Sequence, residues 1–217
     1  MITNFVARLF TFVYTILKES RHGGSFMKNW HDLSYLGRGT MRQKAAWEAI
    51  QQTHIMEVLA DYRPVLAGTI PLDIDVEQSD LDIICESHDL DQFEQVVRKA
   101  FSCLTGFEVT QLDLKGIPTC VISFFTAGFW FELFAQPVAV EMQNAYRHMD
   151  IEARLLHIGG LDACIHIRAL KQDGLKTEPA FARYFHIPGD DPYEALLHLE
   201  SLTEQELRQR VQLLRKD

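Results

Sequence analysis

The chain is poor in cysteine and has no excess of positive charge, and each shortage argues against a class of protein. Its four cysteines form no Cys-x-x-Cys pair, and a chain of 217 residues, 47% of them hydrophobic, can bury a core without disulfides. We therefore expect reduced, mostly buried thiols in a cytoplasmic protein. The formal net charge of −9 argues against a broad nucleic-acid-binding surface, although one or two local cations could hold a small phosphate-bearing substrate.

Long hydrophobic runs are also missing. The most apolar stretch, residues 2–17, contains Arg8 and three threonines and is short for a membrane span. Polar residues follow it at 18–22, where a secretory signal would have a small-residue cleavage site. We therefore expect no membrane partner. We interpret residues 1–26 as an N-terminal extension that is disordered or not native, with Met27 as a plausible alternative start.

Residues 27–137 show the pattern of an α/β domain. Residues 40–61 and 89–104 carry apolar side chains at helical spacing, and Thr40 is a suitable N-cap for the first of these helices. Short apolar runs between polar turns predict strands at residues 65–67, 81–85, 107–114, 117–125 and 129–135. Because short turns join the last three strands, we expect them to form an antiparallel meander.

Residues 138–217 carry only helical patterns. Glycine and proline separate predicted helices at residues 139–157, 160–173, 177–186, 191–199 and 203–215. The last of these is charged and amphipathic, which is typical of a packing helix or of a homodimer contact. The predicted fold class is α+β: a mixed β-sheet flanked by helices, followed by an all-helical C-terminal region.

The stretch from residue 64 to residue 85 contains two carboxylates in an apolar strand. Asp80 and Asp82 are separated by one residue, so both project from the same face of the strand. Neighbouring carboxylates repel each other and are costly to desolvate, and a divalent cation between them offsets that cost. The alternative is a solvent-facing edge strand whose charges discourage aggregation.

A third carboxylate, Glu132, lies alone in the apolar strand of residues 129–135. A glutamate in such a setting is rarely buried without a partner. If this strand lies beside the strand of Asp80 and Asp82, the three carboxylates form an oxygen-rich site suited to Mg²⁺ or Mn²⁺. Otherwise Glu132 could pair with a core arginine. The acids of the preceding loop are either solvated or auxiliary contacts; they are Asp73, Asp75 and Glu77.

The helical half offers two further candidate sets. Arg147 and His148 share a helix face with Asn144, and this face could reach a substrate across a cleft or simply be solvated. Lys176 stands at a predicted helix N-terminus, before the N-cap candidate Thr177, where backbone N–H groups and the lysine could bind an anion. Ordinary capping of that helix is the alternative.

The order of these residues resembles the nucleotidyltransferase superfamily typified by DNA polymerase beta. The resemblance consists of Gly68-Thr69, the Asp80-x-Asp82 strand and Glu132 on a later strand, and it covers residues 60–136. Thr69 departs from the family, which more often has serine there, but the hydroxyl is kept. The whole chain also resembles an uncharacterised bacterial family within that superfamily, through residues 68–75, 143–149 and 174–182.

This resemblance implies a metal-dependent transfer of a nucleoside monophosphate from a nucleoside triphosphate. It implies that Asp80, Asp82 and Glu132 bind the metal ions and act as catalytic residues. It also places Gly68 and Thr69 at the phosphates, and the nucleotide-binding set is completed by Ser79, Arg147, His148 and Lys176. The acceptor, whether a small molecule, a protein or an RNA end, stays open. The alternatives are a catalytically silent nucleotide- or metal-binding module and a metal-dependent phosphohydrolase.

Overall fold

The computed structural model of the protein describes residues 28–214, so the predicted extension at residues 1–26 lies outside the described part of the chain. The strands are β1 (Val65–Ala67), β2 (Leu81–Glu86), β3 (Thr105–Leu114), β4 (Ile117–Thr126) and β5 (Phe129–Gln136). The α-helices are α1 (Met41–Thr53), α2 (Ile55–Val58), α3 (Leu90–Phe101), α4 (Asn144–Gln172), α5 (Thr177–Phe185), α6 (Pro192–Leu197) and α7 (Glu204–Leu214). Shorter 3₁₀ helices cover Leu33–Arg38, Ala60–Tyr62 and Val140–Met142.

The five strands form one mixed sheet in the order β1-β2-β5-β4-β3. The antiparallel pairing of β3 with β4 and of β4 with β5 confirms the predicted meander. Strand β2 pairs antiparallel with β1 and parallel with β5. Because α3, β3 and β4 lie between β2 and β5 in the chain, the parallel pair brings distant parts of the sequence together.

Helices cover the sheet from two sides. On one face, side chains from α1, α2 and α3 pack with alternate residues of all five strands, including Leu66, Ile83, Val109, Ile122 and Leu133. On the other face, Val65, Ala67 and Ile84 pack against helices α4 to α7. This α+β arrangement, with a mixed sheet and a helical C-terminal region, confirms the predicted fold class.

Two helix predictions need correction. The helix predicted over residues 40–61 is interrupted at His54, whose backbone is left-handed (φ 51°), and the chain continues as α2 and a 3₁₀ helix. The helix predicted from residue 139 begins at Asn144, because the 3₁₀ helix Val140–Met142 precedes it. The Thr40 N-cap is confirmed, since Thr40 and Gln43 form a reciprocal capping box.

Helix α4 consists of two segments. Gly160 interrupts it with φ 65° and ψ −157°, a backbone conformation that is essentially restricted to glycine. The sequence predicted that one helix ends at residue 157 and the next begins at residue 160, and the position of this break is confirmed.

The C-terminal helix α7 packs onto the rest of the chain through Leu207 and Val211, both of which are buried. All four cysteines are free, and Cys85 and Cys120 are buried.

Candidate active site

The β2–β5 pair places two of the predicted carboxylates side by side. Asp82 and Glu132 are register partners in these parallel strands, so their side chains project from the same sheet face. Asp80 stands just before β2, two residues from Asp82 and in the same side-chain phase. We expected the strand of Glu132 to lie beside the strand of Asp80 and Asp82, and the pairing of β5 with β2 confirms this. The register also confirms that Asp82 and Glu132 share a sheet face.

The three carboxylates affect one another electrostatically. Burial raises the pKa of Asp82 to about 7, and the neighbouring Glu132 and Asp80 charges contribute to this rise, while Lys171 opposes the shift. Burial and the Asp80 charge also raise the pKa of Glu132, and burial raises that of Asp80. Like charges held this close favour protonation or a counter-cation.

Gly68 directly follows β1 and lies against Asp82. Its backbone has φ 77°, and a Cβ built on it would lie 2.2 Å from Oδ2 of Asp82. Any larger residue would both strain the backbone and displace the carboxylate. The glycine is thus required by the position of Asp82, which is its physical role in this structure.

Two hydroxyl groups lie at the ends of the loop between β1 and β2. The Thr69 hydroxyl donates a hydrogen bond to Ser79 Oγ at 3.3 Å, and the backbone N–H of Val76 donates to the same oxygen at 2.9 Å. The structure therefore brings Thr69 and Ser79 together, next to Asp80 in the chain.

Arginines from both halves of the chain hold this loop. Arg168 of α4 donates to Asp73 Oδ1 at 3.0 Å and to the Asp75 carbonyl oxygen at 3.3 Å. Arg42 of α1 donates to the carbonyl oxygens of Glu77 and Ser79 at 3.3 and 3.2 Å. The Asp75 carboxylate also lies 3.9 Å from Nε of Arg42, so both loop acids are engaged by arginines rather than merely solvated.

The cation that acts on Asp82 is Lys171, which sequence reasoning left out of the site. Burial lowers the pKa of Lys171 to about 8, and the nearby Glu152, Asp75, Glu178 and Asp82 oppose that shift. Lys171 belongs to the segment of α4 after the break at Gly160. Gly159 and Gly160 indicated a break in the helix. No pattern in the sequence indicates which side chain of the second segment faces the sheet.

The other predicted residues of the helical half have partners of their own. Arg147 forms an ion pair with Glu200 at 2.6 Å. His148 is buried, with Nε2 3.0 Å from the Tyr193 carbonyl oxygen and Nδ1 3.6 Å from Glu178 Oε1. Lys176 is exposed and is itself the N-cap of α5, so the prediction of Thr177 as the N-cap was wrong. Within the part of the chain that the structure describes, no hydrogen bond or ion pair joins these three residues to the carboxylates.

The carboxylates suit a hard divalent cation by their chemistry, since anionic oxygens are the ligands that Mg²⁺ and Mn²⁺ prefer. Their present spacing does not form a finished ligand set: among the described residues, no group of three or more His, Cys, Asp or Glu side chains is arranged to hold a metal ion.

Comparison with known families assigns the chain by sequence. A family described as "Domain of unknown function (DUF4269)" matches residues 48–199, which is more than half of the chain. The chain belongs to this family. The matched range contains all three carboxylates, Gly68 and Lys171. No curated protein matches this DUF4269 member.

Solved structures with a related backbone include nucleotide-polymerising proteins. The Cid1 poly(U) polymerase bound to MgGTP aligns over 64% of this chain and 46% of its own, with 12% identity and a TM-score of 0.46. The polymerase core of TRAMP, an RNA surveillance complex, aligns over 85% and 60%, with 12% identity and a TM-score of 0.44. The GLD-2/RNP-8 complex aligns over 88% and 64%, with 13% identity and a TM-score of 0.40. This chain therefore spans less than two-thirds of each aligned chain, and similarity at these scores assigns no activity to it.

Within residues 28–214, none of the helices is both long enough and apolar enough to cross a membrane.

Proposed function

We propose that this DUF4269 protein is a metal-dependent nucleotidyltransferase, which moves a nucleoside monophosphate from a nucleoside triphosphate to an acceptor. The observation that carries the proposal is the β2–β5 register, which pairs Asp82 with Glu132. Asp80 directly precedes β2, two residues from Asp82 and in the same side-chain phase. Three mutually repelling carboxylates on one sheet face are costly, and a bound divalent cation offsets that cost.

In this proposal Asp80, Asp82 and Glu132 hold Mg²⁺ or Mn²⁺. When bound, the metal would lower the pKa of the attacking hydroxyl and stabilise the charge of the leaving pyrophosphate. Glu132, the exposed member of the set, would either accept the proton of that hydroxyl or anchor a second metal ion. The protein would otherwise act by positioning its substrates and neutralising their charge.

The residues around the carboxylates supply contacts for the triphosphate. Gly68 leaves the place of a Cβ to the Asp82 carboxylate, so it would serve the triphosphate by allowing Asp82 its position. The hydroxyls of Thr69 and Ser79 can donate hydrogen bonds, and the Lys171 ammonium supplies positive charge. Lys176, Arg147 and His148 complete the proposed nucleotide-binding set, although among the described residues no hydrogen bond or ion pair joins them to the carboxylates.

The acceptor can be a small molecule, a protein or an RNA end. The net charge of −9 favours an acceptor that presents a short or uncharged segment over one that needs a long basic groove. A silent binding module and a phosphohydrolase are distinguished from transfer by the experiment that follows.

The test is incubation of the full chain with Mg²⁺, the four α-labelled nucleoside triphosphates and a cell extract as a source of acceptors. Label on an acceptor together with released pyrophosphate supports transfer. Free nucleoside monophosphate supports hydrolysis, and nucleotide binding without turnover supports a silent module. Either of these two results contradicts the proposal.

Matched variants tie the activity to the site. Asp80→Asn and Asp82→Asn should reduce transfer more than about 100-fold, because changes to the outer partners of metal ligands already cost up to that much. The exposed Asp61→Asn should retain full activity. Circular dichroism should show all three folded, with Asp82→Asn melting above the wild type at pH 8 in EDTA because it removes a costly charge. If Asp82→Asn transfers label at the wild-type rate, the site assignment is wrong.

A further inference from the structure

Two exposed aromatic side chains lie on the sheet face of the carboxylates, and the proposed reaction does not use them. Trp130 of β5 is 45% exposed and Phe125 of β4 is 38% exposed. They are register partners in the antiparallel β4–β5 pair, and their ring centroids are 5.6 Å apart. Single apolar residues at a surface need no explanation, whereas a cluster of exposed aromatic rings is typical of a binding surface.

The register places this aromatic pair, Trp130 and Phe125, beside the carboxylates. One row of register partners crosses β2, β5, β4 and β3, and its members are Asp82, Glu132, Ser123 and Glu108. Trp130 is two residues before Glu132, so its side chain projects from the same face about 7 Å along the strand. The aromatic pair therefore adjoins the carboxylates over β5 and β4.

Gly106 allows the indole of Trp130 to lie along the sheet. A Cβ on Gly106 would lie 2.5 Å from Cη2 of Trp130, and the backbone there has φ 66°. Gly106 belongs to β3 and Trp130 to β5, with β4 between them. The indole must therefore reach across β4 beside Phe125, instead of projecting straight away from the sheet. This orientation gives the pair an extended surface on which another group can stack.

The proposed phosphate contacts are on the other side of the carboxylates. Gly68 and Thr69 directly follow β1, whereas the aromatic pair is on β5 and β4, and β2 lies between them in the sheet. The attacking and leaving oxygens of a phosphoryl transfer are roughly in line on opposite sides of phosphorus. If pyrophosphate leaves toward β1, the attacking hydroxyl approaches over β5 and β4. The aromatic pair is then on the acceptor side, a conclusion that rests on the proposed function.

The charge of this surface indicates which acceptor it fits. Strands β3, β4 and β5 contain no lysine or arginine, because Lys115, the one such residue in residues 105–136, lies in the turn between β3 and β4. The same face carries Glu108 and Glu132. An RNA end would bring its phosphates to acids that no basic side chain of these strands offsets. An organic cation, in contrast, is attracted both by carboxylates and by the faces of aromatic rings.

We propose that Trp130 and Phe125 form the acceptor subsite, and that the acceptor is a small organic cation that carries a hydroxyl group. Its cationic part stacks on the aromatic pair, with Glu108 as a counter-charge. Its hydroxyl oxygen forms a bond to the α-phosphorus of the nucleotide while the bond from that phosphorus to pyrophosphate breaks. The hydroxyl proton passes to Glu132 or to water.

Binding to the aromatic pair is tested without metal or nucleotide. Benzyltrimethylammonium is titrated into the ¹⁵N-labelled full chain in EDTA, and NMR follows the indole N–H signals of its three tryptophans. The signal that is missing from Trp130→Phe identifies Trp130. We expect a saturable shift of this signal, with Kd at least about fivefold lower than for the neutral benzyl alcohol. No saturable shift, or tighter binding of the anion phenylacetate, would overturn the inference.

The transfer reaction tests the subsite in function. The cell extract is divided into macromolecules and a small-molecule filtrate, and the filtrate is separated into cationic, neutral and anionic fractions by ion exchange. We expect acceptor activity in the cationic fraction. Trp130→Ala should raise the amount of this fraction needed for half-maximal rate about tenfold, because stacking on an aromatic side chain contributes at least that much to binding. Binding of inorganic tripolyphosphate with Mg²⁺, measured by calorimetry, should be unchanged.

Leu114→Ala is the matched control for Trp130→Ala. Leu114 is 38% exposed on the same face of β3 as Glu108, but it lies six residues from it, about 20 Å along the strand. It should therefore leave both the Kd of benzyltrimethylammonium and the acceptor requirement at their wild-type values. Circular dichroism should show both variants folded, and Trp130→Phe, which keeps an aromatic ring, should retain more acceptor binding than Trp130→Ala.

The outcomes separate the two proposals. If benzyltrimethylammonium binds at Trp130 but no fraction accepts label, the proposed function fails and the cation subsite stands. If label is transferred to RNA, protein or an anionic molecule, or if Trp130→Ala keeps the wild-type acceptor requirement, the subsite fails and the proposed function stands. A wild-type dimer in light scattering that Trp130→Ala converts to a monomer would show that a second copy of the chain covers the pair, and would also overturn the inference.

Discussion

Gly68 and Asp82 show how the site depends on single atoms. Two features require glycine at position 68. Its φ is positive, as at other glycines of the chain, and an oxygen of Asp82 occupies the place that a Cβ would take. Gly116 has a similar φ of 85°, but nothing lies within 4 Å of the position that a Cβ would take there. Comparing substitutions at Gly68 and Gly116 therefore distinguishes the effect of backbone strain from the effect of displacing the Asp82 carboxylate.

We expect Gly68→Ala to destabilise the fold more than Gly116→Ala does. Both variants place an alanine in a left-handed conformation, which costs about 1 kcal/mol or more, but only Gly68→Ala must also move Asp82. Urea unfolding measures the difference in stability, and calorimetry with Mg²⁺-tripolyphosphate measures the loss of binding, which should be confined to Gly68→Ala. Equal stability and equal binding of the two variants would show that the contact with Asp82 is unimportant.

Residue patterns predicted the shared sheet face of the carboxylates but not the residues around them. Asp80, Asp82 and Glu132 stood out because a charged residue in an apolar strand is conspicuous, and side-chain alternation gives its face directly. Lys171 did not stand out, since a lysine late in a helix is usually a solvated or capping residue. Its position depends on the fold of α4 as a whole.

At the level of helices and strands, the ends that could be predicted from the sequence were those marked by glycine or proline. The predicted helix 177–186 and the observed α5 (Thr177–Phe185) agree because Gly174 precedes it and Pro188 follows. The interruption at His54 was missed, because no glycine or proline marks the left-handed residue there. The order of the strands, with β2 beside β5, depends on long-range pairing that local patterns do not encode.

The break in α4 is the element on which the position of Lys171 depends. Gly160→Ala should lower Tm by several degrees, because φ 65° with ψ −157° is essentially restricted to glycine and straightening the helix would separate its segments. It should also weaken Mg²⁺-tripolyphosphate binding. Gly174→Ala is the control, with φ 96° and open space around the added Cβ, and it should keep wild-type binding. If Gly160→Ala bound Mg²⁺-tripolyphosphate as the wild type does, the position of Lys171 would not depend on the break in α4.

At the scale of the whole molecule, the candidate site is shared by the two halves of the chain. The sheet half supplies the three carboxylates and Gly68, and α4 supplies Lys171 together with Arg168, which holds the loop between β1 and β2. A site divided in this way places a cluster of negative charge against a cation from the opposite side. This arrangement suits a substrate that is itself an anion bound with a metal ion.

The central claim is that the face carrying Asp80, Asp82 and Glu132 binds a divalent metal ion together with a triphosphate. Crystals of the full chain soaked with Mn²⁺ and a nucleoside triphosphate test it directly, through anomalous scattering from manganese. We predict an anomalous peak within coordination distance of Asp82 and at least one other of these carboxylates, with the triphosphate extending toward Lys171. A bound nucleotide whose manganese lies away from all three carboxylates, or full soaking with no peak at this face, would contradict the account.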